Sequence, residues 1–314
     1  MHTVHRTPLK QSSTLNRITG MQVFLKMENL QRTGSFKLRG ALNKICSLSD
    51  DETSQGIICA SAGNHAQGVA LAASERGIRA RIFMPERTPL AKIEATRTYG
   101  AEIILTGETY QEAFLAAQED MVSTGSIFVH AFDDIKVIAG QGTIALEMIQ
   151  QYHDLEAIVV PVGGGGLISG IALAVKAFNP SVKVIGVQAK GAPATFNLFT
   201  GKNTSGLNRV HSIADGILVK KPGKLTYPII EKFVDDMVTV NDEEIAYAIL
   251  FMLQREKTLI EGAGAAAVAS ILFKKVQFHS MKVGCIVSGG NVDVNQLPLY
   301  NKLTNRVKSV DRVV

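Results

Sequence analysis

Short apolar runs alternate with helix-length segments along nearly the whole chain, and this alternation limits the fold more than any other feature. GIICASA (Gly56 to Ala62), ARIFMP (Ala80 to Pro85), AEIILTG (Ala101 to Gly107), SIFVHAF (Ser126 to Phe132), AIVVPV (Ala157 to Val162), VKVIGVQ (Val182 to Gln188) and KVGCIVSGG (Lys282 to Gly290) read as strands. Between them, helices are expected over about 64–76, after Thr88-Pro89, from the TYQE capping box at Thr109, over 135–151 and over 167–178. NDEE should cap another over about 243–256, and GAGAAAVASILF gives one more. Strands this apolar on both faces belong in parallel sheets covered by helices. The expected class is therefore α/β. Such folds bind ligands beyond the carboxyl ends of their strands, so the informative residues should follow the strands.

The chain has 314 residues, 46% hydrophobic and 19% charged, which leaves ample length for a substantial core. Its net charge of +5 is spread through mixed signs, and no basic stripe is interleaved with aromatics, so nucleic acid is not an expected partner. The uncharged stretch from Ala157 to Val175 is long enough for a membrane span, but four consecutive glycines at its centre would break the helix a bilayer requires. It reads instead as strand, turn and helix. The N-terminus lacks the apolar segment of a secretory signal. Cys46, Cys59 and Cys285 are scattered in apolar surroundings, which suggests buried thiols in a reducing, cytoplasmic setting. The seven histidines show no zinc-ligand spacing.

Four post-strand loops are candidates for chemistry, although the glycine run could be a tight turn, SGGN an ordinary turn and Lys37 a solvated lysine at a helix start. Val162 to Gly170 reads VGGGGLISG, and consecutive glycines before a helix can turn several N–H groups toward one anion. GxGxxG fails in both frames, because Ile168 or Ser169 stands at the third glycine, and Gln188 replaces the ribose-binding acid. A smaller phosphate remains. SAGNHAQG (Ser61 to Gly68) also opens a helix; its amides could hold a carboxylate, or Asn64 could simply cap with Gln67. SGGN (Ser288 to Asn291) follows a strand. TGSFKLRG (Thr33 to Gly40) places Lys37 between Phe36 and Leu38 in the first turn of a helix.

In chain order, TGSFKLRGALNK, SAGNHAQGVA, PVGGGGLISG, EGAGA and SGGNVD resemble the pyridoxal-phosphate enzymes of the tryptophan-synthase-β type (fold type II), nearest to the threonine/serine dehydratases, with serine racemase a close kin. The resemblance runs from RTPL (Arg6 to Leu9) to Asp293. It implies two open, twisted, mostly parallel sheets. It also implies a larger domain (1–47 and 133–314) bearing an inserted smaller one (48–132) that closes over substrate. By resemblance, Lys37 bonds the aldehyde of pyridoxal 5'-phosphate, and its desolvated amine serves first as nucleophile and then as base. Gly163, Gly164, Gly165, Gly166 and Leu167 would hold the phosphate, Asn64 the ring hydroxyl and Ser288 the pyridine nitrogen. Phe36 would pack on the ring. Ser61, Gly63, Asn64 and His65 would receive the carboxylate of a small amino-acid substrate.

A serine at the pyridine nitrogen is neutral, which favours elimination over transamination. The implied reaction is loss of water and ammonia from threonine or serine. Racemases carry a second serine where this chain has Ala62, whose methyl cannot donate a proton. In RVHSIADGI, Asp215 lacks a preceding glutamate, which speaks against a divalent metal and leaves a monovalent cation open. A homodimer or homotetramer is expected, as is the absence of isoleucine feedback. The stretch after SGGNVD shows no obvious helix signal.

Overall fold

The computed structural model describes residues 3–202, 206–276, 278 and 281–307. Its strands are β1 (Leu9–Gln11), β2 (Gln22–Met27), β3 (Ile57–Ala60), β4 (Ala80–Met84), β5 (Glu102–Leu105), β6 (Ile127–Phe128), β7 (Ala157–Pro161), β8 (Lys183–Ala189), β9 (Asp236–Val240) and β10 (Lys282–Val287). They form a six-stranded sheet in the order β1-β2-β10-β7-β8-β9 and a four-stranded sheet in the order β5-β4-β3-β6. Every pairing is parallel except β1 with β2. The two-sheet α/β architecture expected from the alternating runs is therefore present.

Burial explains the strand sequences. All residues of β3 and β7 are buried, because helices cover both faces of these central strands. The edge strand β5 keeps Glu102 and Leu105 exposed. The apolar cluster of the larger sheet gathers Leu25, Val159, Val187, Ile249, Val268 and Val283; that of the smaller sheet gathers Leu38, Ile57, Val69, Ile82 and Val129.

The chain divides into two units, Met1–His5 with Gln31–Gln141, and Arg6–Leu30 with Gly142–Val314. The helix Lys37–Cys46 belongs with the smaller sheet because Leu38, Ala41 and Ile45 pack in the same cluster as Val69 and Ala73 of the helix Asn64–Glu75. Sequence distance from the nearest strand gave no hint of that packing.

Local signals fared unevenly. The capping boxes Thr109–Glu112 and Asn241–Glu244 form as expected. Thr88 does not cap; Pro89 occupies the N-cap and the Thr88 hydroxyl donates to the Pro85 carbonyl. SIFVHAF pairs only at Ile127 and Phe128. The stretch after SGGNVD does contain a helix, Leu297–Thr304, which buries Tyr300. Cys59 and Cys285 are buried, but Cys46 is exposed at the end of its helix, contrary to expectation. No helix among the described residues is long and apolar enough to cross a membrane.

Candidate active site

In the smaller unit, the candidate residues follow β3 or open helices. Lys37 is the first residue of the helix Lys37–Cys46, whose N-cap, Phe36, makes no side-chain capping bond. Its Nζ donates to the Ala131 carbonyl at 2.8 Å and lies 5.4 Å from the centroid of the Phe36 ring. The helix Asn64–Glu75 crosses close by. A Cβ on Gly68 would stand 3.0 Å from the Leu38 nitrogen and 3.1 Å from the Lys37 carbonyl carbon. Gly68 thus lets the SAGNHAQG segment approach the backbone of Lys37 itself.

Ser61 leaves β3 with its N–H on the Phe83 carbonyl, and its hydroxyl accepts from the Gly63 N–H at 3.2 Å. The N-cap of the following helix is Gly63, without a side-chain cap, and Asn64 is the first helical residue. The capping reading of Asn64 is therefore overturned. Among the described residues, the N–H groups of His65 and Ala66 find no acceptor, which suits a helix start that receives a carboxylate.

His65 is buried, and its Nε2 lies 2.8 Å from the Val129 carbonyl. A carbonyl only accepts, so Nε2 carries the proton. Burial first, then the Lys37 charge, pushes this ring down to about 3, against the opposing hydrogen bond to Val129. The neutral ring leaves Nδ1 unprotonated, buried and without a partner. His130, which sequence reasoning missed, accepts at Nδ1 from the N–H groups of Phe132 and Asp133. Burial is the chief cause that lowers its pKa; Asp133 opposes and Lys37 adds to the lowering. The available signal was position: VHAF follows a strand.

In the larger unit, Gly163 to Leu167 lie beyond the carboxyl end of β7 and lead into the helix Gly166–Phe178. The loop's carbonyls are engaged. Gly164 accepts from the Thr226 hydroxyl at 2.7 Å and the Gly223 N–H at 3.3 Å. Gly163 accepts from Thr195 Oγ1 at 3.4 Å and Gln188 Nε2 at 3.5 Å. The N–H groups of Gly163 to Leu167 find no acceptor among the described residues. Carbonyls turned into protein and amides left over make an anion cradle. Gly165 holds φ at +97°, and a Cβ there would lie 2.7 Å from Ile230 Cδ1 and 2.9 Å from Thr226. Ser288 follows β10, which is β7's parallel neighbour, so both loops leave the same edge of the sheet; Ser288 is buried. The EGAGA segment meets this loop through the Glu261 N–H on the Gly289 carbonyl. Gln188, noted in sequence only for not being an acid, is a buried brace between Gly163 and the Phe196 N–H.

The larger unit thus brings Gly163–Leu167 and Ser288 to one sheet edge, and the smaller brings Lys37 to the SAGNHAQG helix. The donor set fits a phosphate ester on the first and a carboxylate on the second. A strand-end anion cradle in one unit and, in the other, a lysine at a helix start are each equipment found in α/β enzymes that bind phosphorylated ligands. The chain belongs to the pyridoxal-phosphate dependent enzyme family, whose model matches residues 1–289. It is 53% identical over 294 residues to an L-threonine ammonia-lyase of Thermotoga maritima, covering 94% of this chain and 73% of that one. It is 42% identical to the catabolic L-threonine dehydratase TdcB of Escherichia coli, covering 94% and 90%. Among solved structures, a processed threonine deaminase isoform 2 of Solanum lycopersicum superposes with a TM-score of 0.91 at 38% identity, covering 96% and 84%. Maize serine racemase superposes with a TM-score of 0.90 at 38% identity, covering 96% and 94%.

Proposed function

We propose that this chain deaminates L-threonine, and L-serine as a second substrate, by β-elimination of water, giving 2-oxobutanoate or pyruvate and ammonia. The observation that carries the reading is 53% identity, over 94% of the chain, to a relative named for threonine deamination. The unclaimed amides of the tetraglycine loop support it from the structure.

When bound, pyridoxal 5'-phosphate supplies the electron sink that makes loss of the α-proton feasible. In this reading Gly163, Gly164, Gly165, Gly166 and Leu167 grip its phosphate through backbone N–H groups. Asn64 would hold its ring hydroxyl, Phe36 would pack on its face, and the neutral hydroxyl of Ser288 would meet its ring nitrogen. Lys37 would hold the cofactor through its Nζ, and the same amine would take the α-proton of the substrate. Ser61, Gly63, Asn64 and His65 hold the substrate carboxylate and so fix which face Lys37 meets. Threonine and serine differ by one methyl, worth about 1–3 kcal/mol of discrimination. Closure of the smaller unit over substrate would exclude water from the reaction.

The purified protein should carry the yellow absorbance of lysine-bound cofactor and release 2-oxobutanoate from L-threonine. Lys37→Ala should lose both; a variant that keeps them removes Lys37 from its role. Racemisation is a second reading, favoured by the similarity to maize serine racemase. Ala62 weakens it, since its methyl offers no acid for the opposite face. Chiral analysis of L-serine incubations decides: D-serine formed faster than pyruvate would reverse the order of the two readings. We also infer a cytoplasmic setting, supported by the three free thiols, and a homodimer or homotetramer, checked by light scattering on the eluting protein.

A further inference from the structure

Two residues of the smaller unit hang on one short segment. His65 donates from Nε2 to the Val129 carbonyl at 2.8 Å. Two residues on, the Ala131 carbonyl accepts from Lys37 Nζ, also at 2.8 Å. The segment is otherwise tied to the sheet by the Val129 N–H on the Ile58 carbonyl at 2.9 Å. The two N–H groups just beyond Ala131 close back onto His130 Nδ1 at 3.2 and 2.8 Å. The strap is therefore pinned at its start by His65 and Ile58 and folded tightly at its end by His130.

We propose that His65 is a positioning residue for Lys37: its side chain fixes the Val129 carbonyl and thereby the place of the Ala131 carbonyl that receives the ε-amine. The inference deepens the reading of Lys37 as the reactive amine and rests on it. Three features suit His65 to the task. Its proton is committed to Nε2, because the partner is a carbonyl. Its Nδ1 is buried without a partner, so no competing bond turns the ring. It stands one residue past the helix start at Asn64, so its backbone can serve the carboxylate loop while its side chain reaches the strap. A buried carbonyl robbed of its donor seeks another, and the strap would shift by a fraction of an ångström to find one. A displacement of that size at a reactive amine costs rate steeply.

The test compares His65→Leu, His65→Asn and His65→Gln in the full chain. Glutamine places an N–H where Nε2 stood, asparagine stops an atom short, and leucine has no donor. Cofactor-stripped protein is mixed with pyridoxal 5'-phosphate and the yellow absorbance is followed in time; turnover of L-threonine is measured separately. Leucine and asparagine should slow cofactor capture about tenfold or more and lower kcat similarly. KM should stay within about twofold, because the backbone N–H groups of the carboxylate loop remain. Glutamine should restore capture and kcat to within about threefold. Should the leucine protein fail to fold, the asparagine and glutamine pair carries the same comparison. Capture by leucine and asparagine at the unsubstituted rate, or by glutamine as slowly as leucine, overturns the proposal while leaving Lys37 in place. Capture with the same spectrum by Lys37→Ala would instead overturn the reading of Lys37 itself.

Discussion

Gly165 is the residue whose replacement has the clearest consequence. Alanine there would adopt a left-handed φ of +97° and push its Cβ against Ile230 and Thr226. The strain is worth about 1–3 kcal/mol, and relief would move the neighbouring amides. Gly165→Ala should therefore weaken pyridoxal 5'-phosphate binding by about tenfold or more, read by fluorescence titration of stripped protein. His65 has a pH signature. Its folded pKa of about 3 lies below the ordinary 6.5, so the unfolded chain binds the extra proton. The contribution of this ring is whole above about 6.5 and is lost as pH falls toward about 3, with Lys37 and His130 both opposing its protonation. The slope is at most about 1.4 kcal/mol per pH unit. Urea midpoints between pH 7 and 4 should fall less steeply for His65→Gln than for the unsubstituted protein; parallel lines would contradict a neutral His65. The sequence placed His65 in a loop with carboxylate-binding potential. It did not reveal the side chain's bond to Val129, 64 residues away.

Among the elements, the capping boxes were legible because all their atoms lie within four residues. Thr109→Ala removes the bond to the Glu112 N–H and should cost about 1 kcal/mol in urea denaturation. The fate of the lysine in β2 is not legible from its neighbours in sequence. Lys26 is fully buried, with Nζ 2.5 Å from Glu147 and 2.8 Å from the Thr7 carbonyl. Glu147→Ala would take one carboxylate from this fully buried ammonium, which also donates to the Thr7 carbonyl and Gln151 Oε1, and should cost about 3 kcal/mol. Replacing both with Met and Leu should restore most of the loss, because the desolvation cost disappears with the charges. A double replacement no more stable than Glu147→Ala would show that the pair contributes beyond mutual compensation.

On the scale of the molecule, two sheets were expected and two are present. Leu38, Ala41 and Ile45 pack with residues far along the chain, and no local pattern announces which sheet a helix will cover. Thiol reactivity follows from the same burial. Cys59 and Cys285 are buried in the two different sheets, and burial pushes both thiols up, away from the reactive thiolate. An aromatic disulfide reagent should titrate Cys46 alone in the native protein and all three thiols in denaturant. Reaction of Cys59 or Cys285 at the rate of Cys46 would mean that the sheets open readily.

By itself the sequence determined most of the segments that become parallel strands, where loops leave them, and that five motifs in order belong to a pyridoxal-phosphate enzyme. Strand burial, glycine runs and capping residues act within a few positions, so they can be read in line. Only the tertiary structure decided that the Thr226 hydroxyl holds the Gly164 carbonyl aside, that Gly68 admits one helix to the backbone of another, and that His65 and Lys37 share a strap. Those are contacts between distant residues, and their partners are chosen by packing, which the order of amino acids encodes only through the whole folded chain.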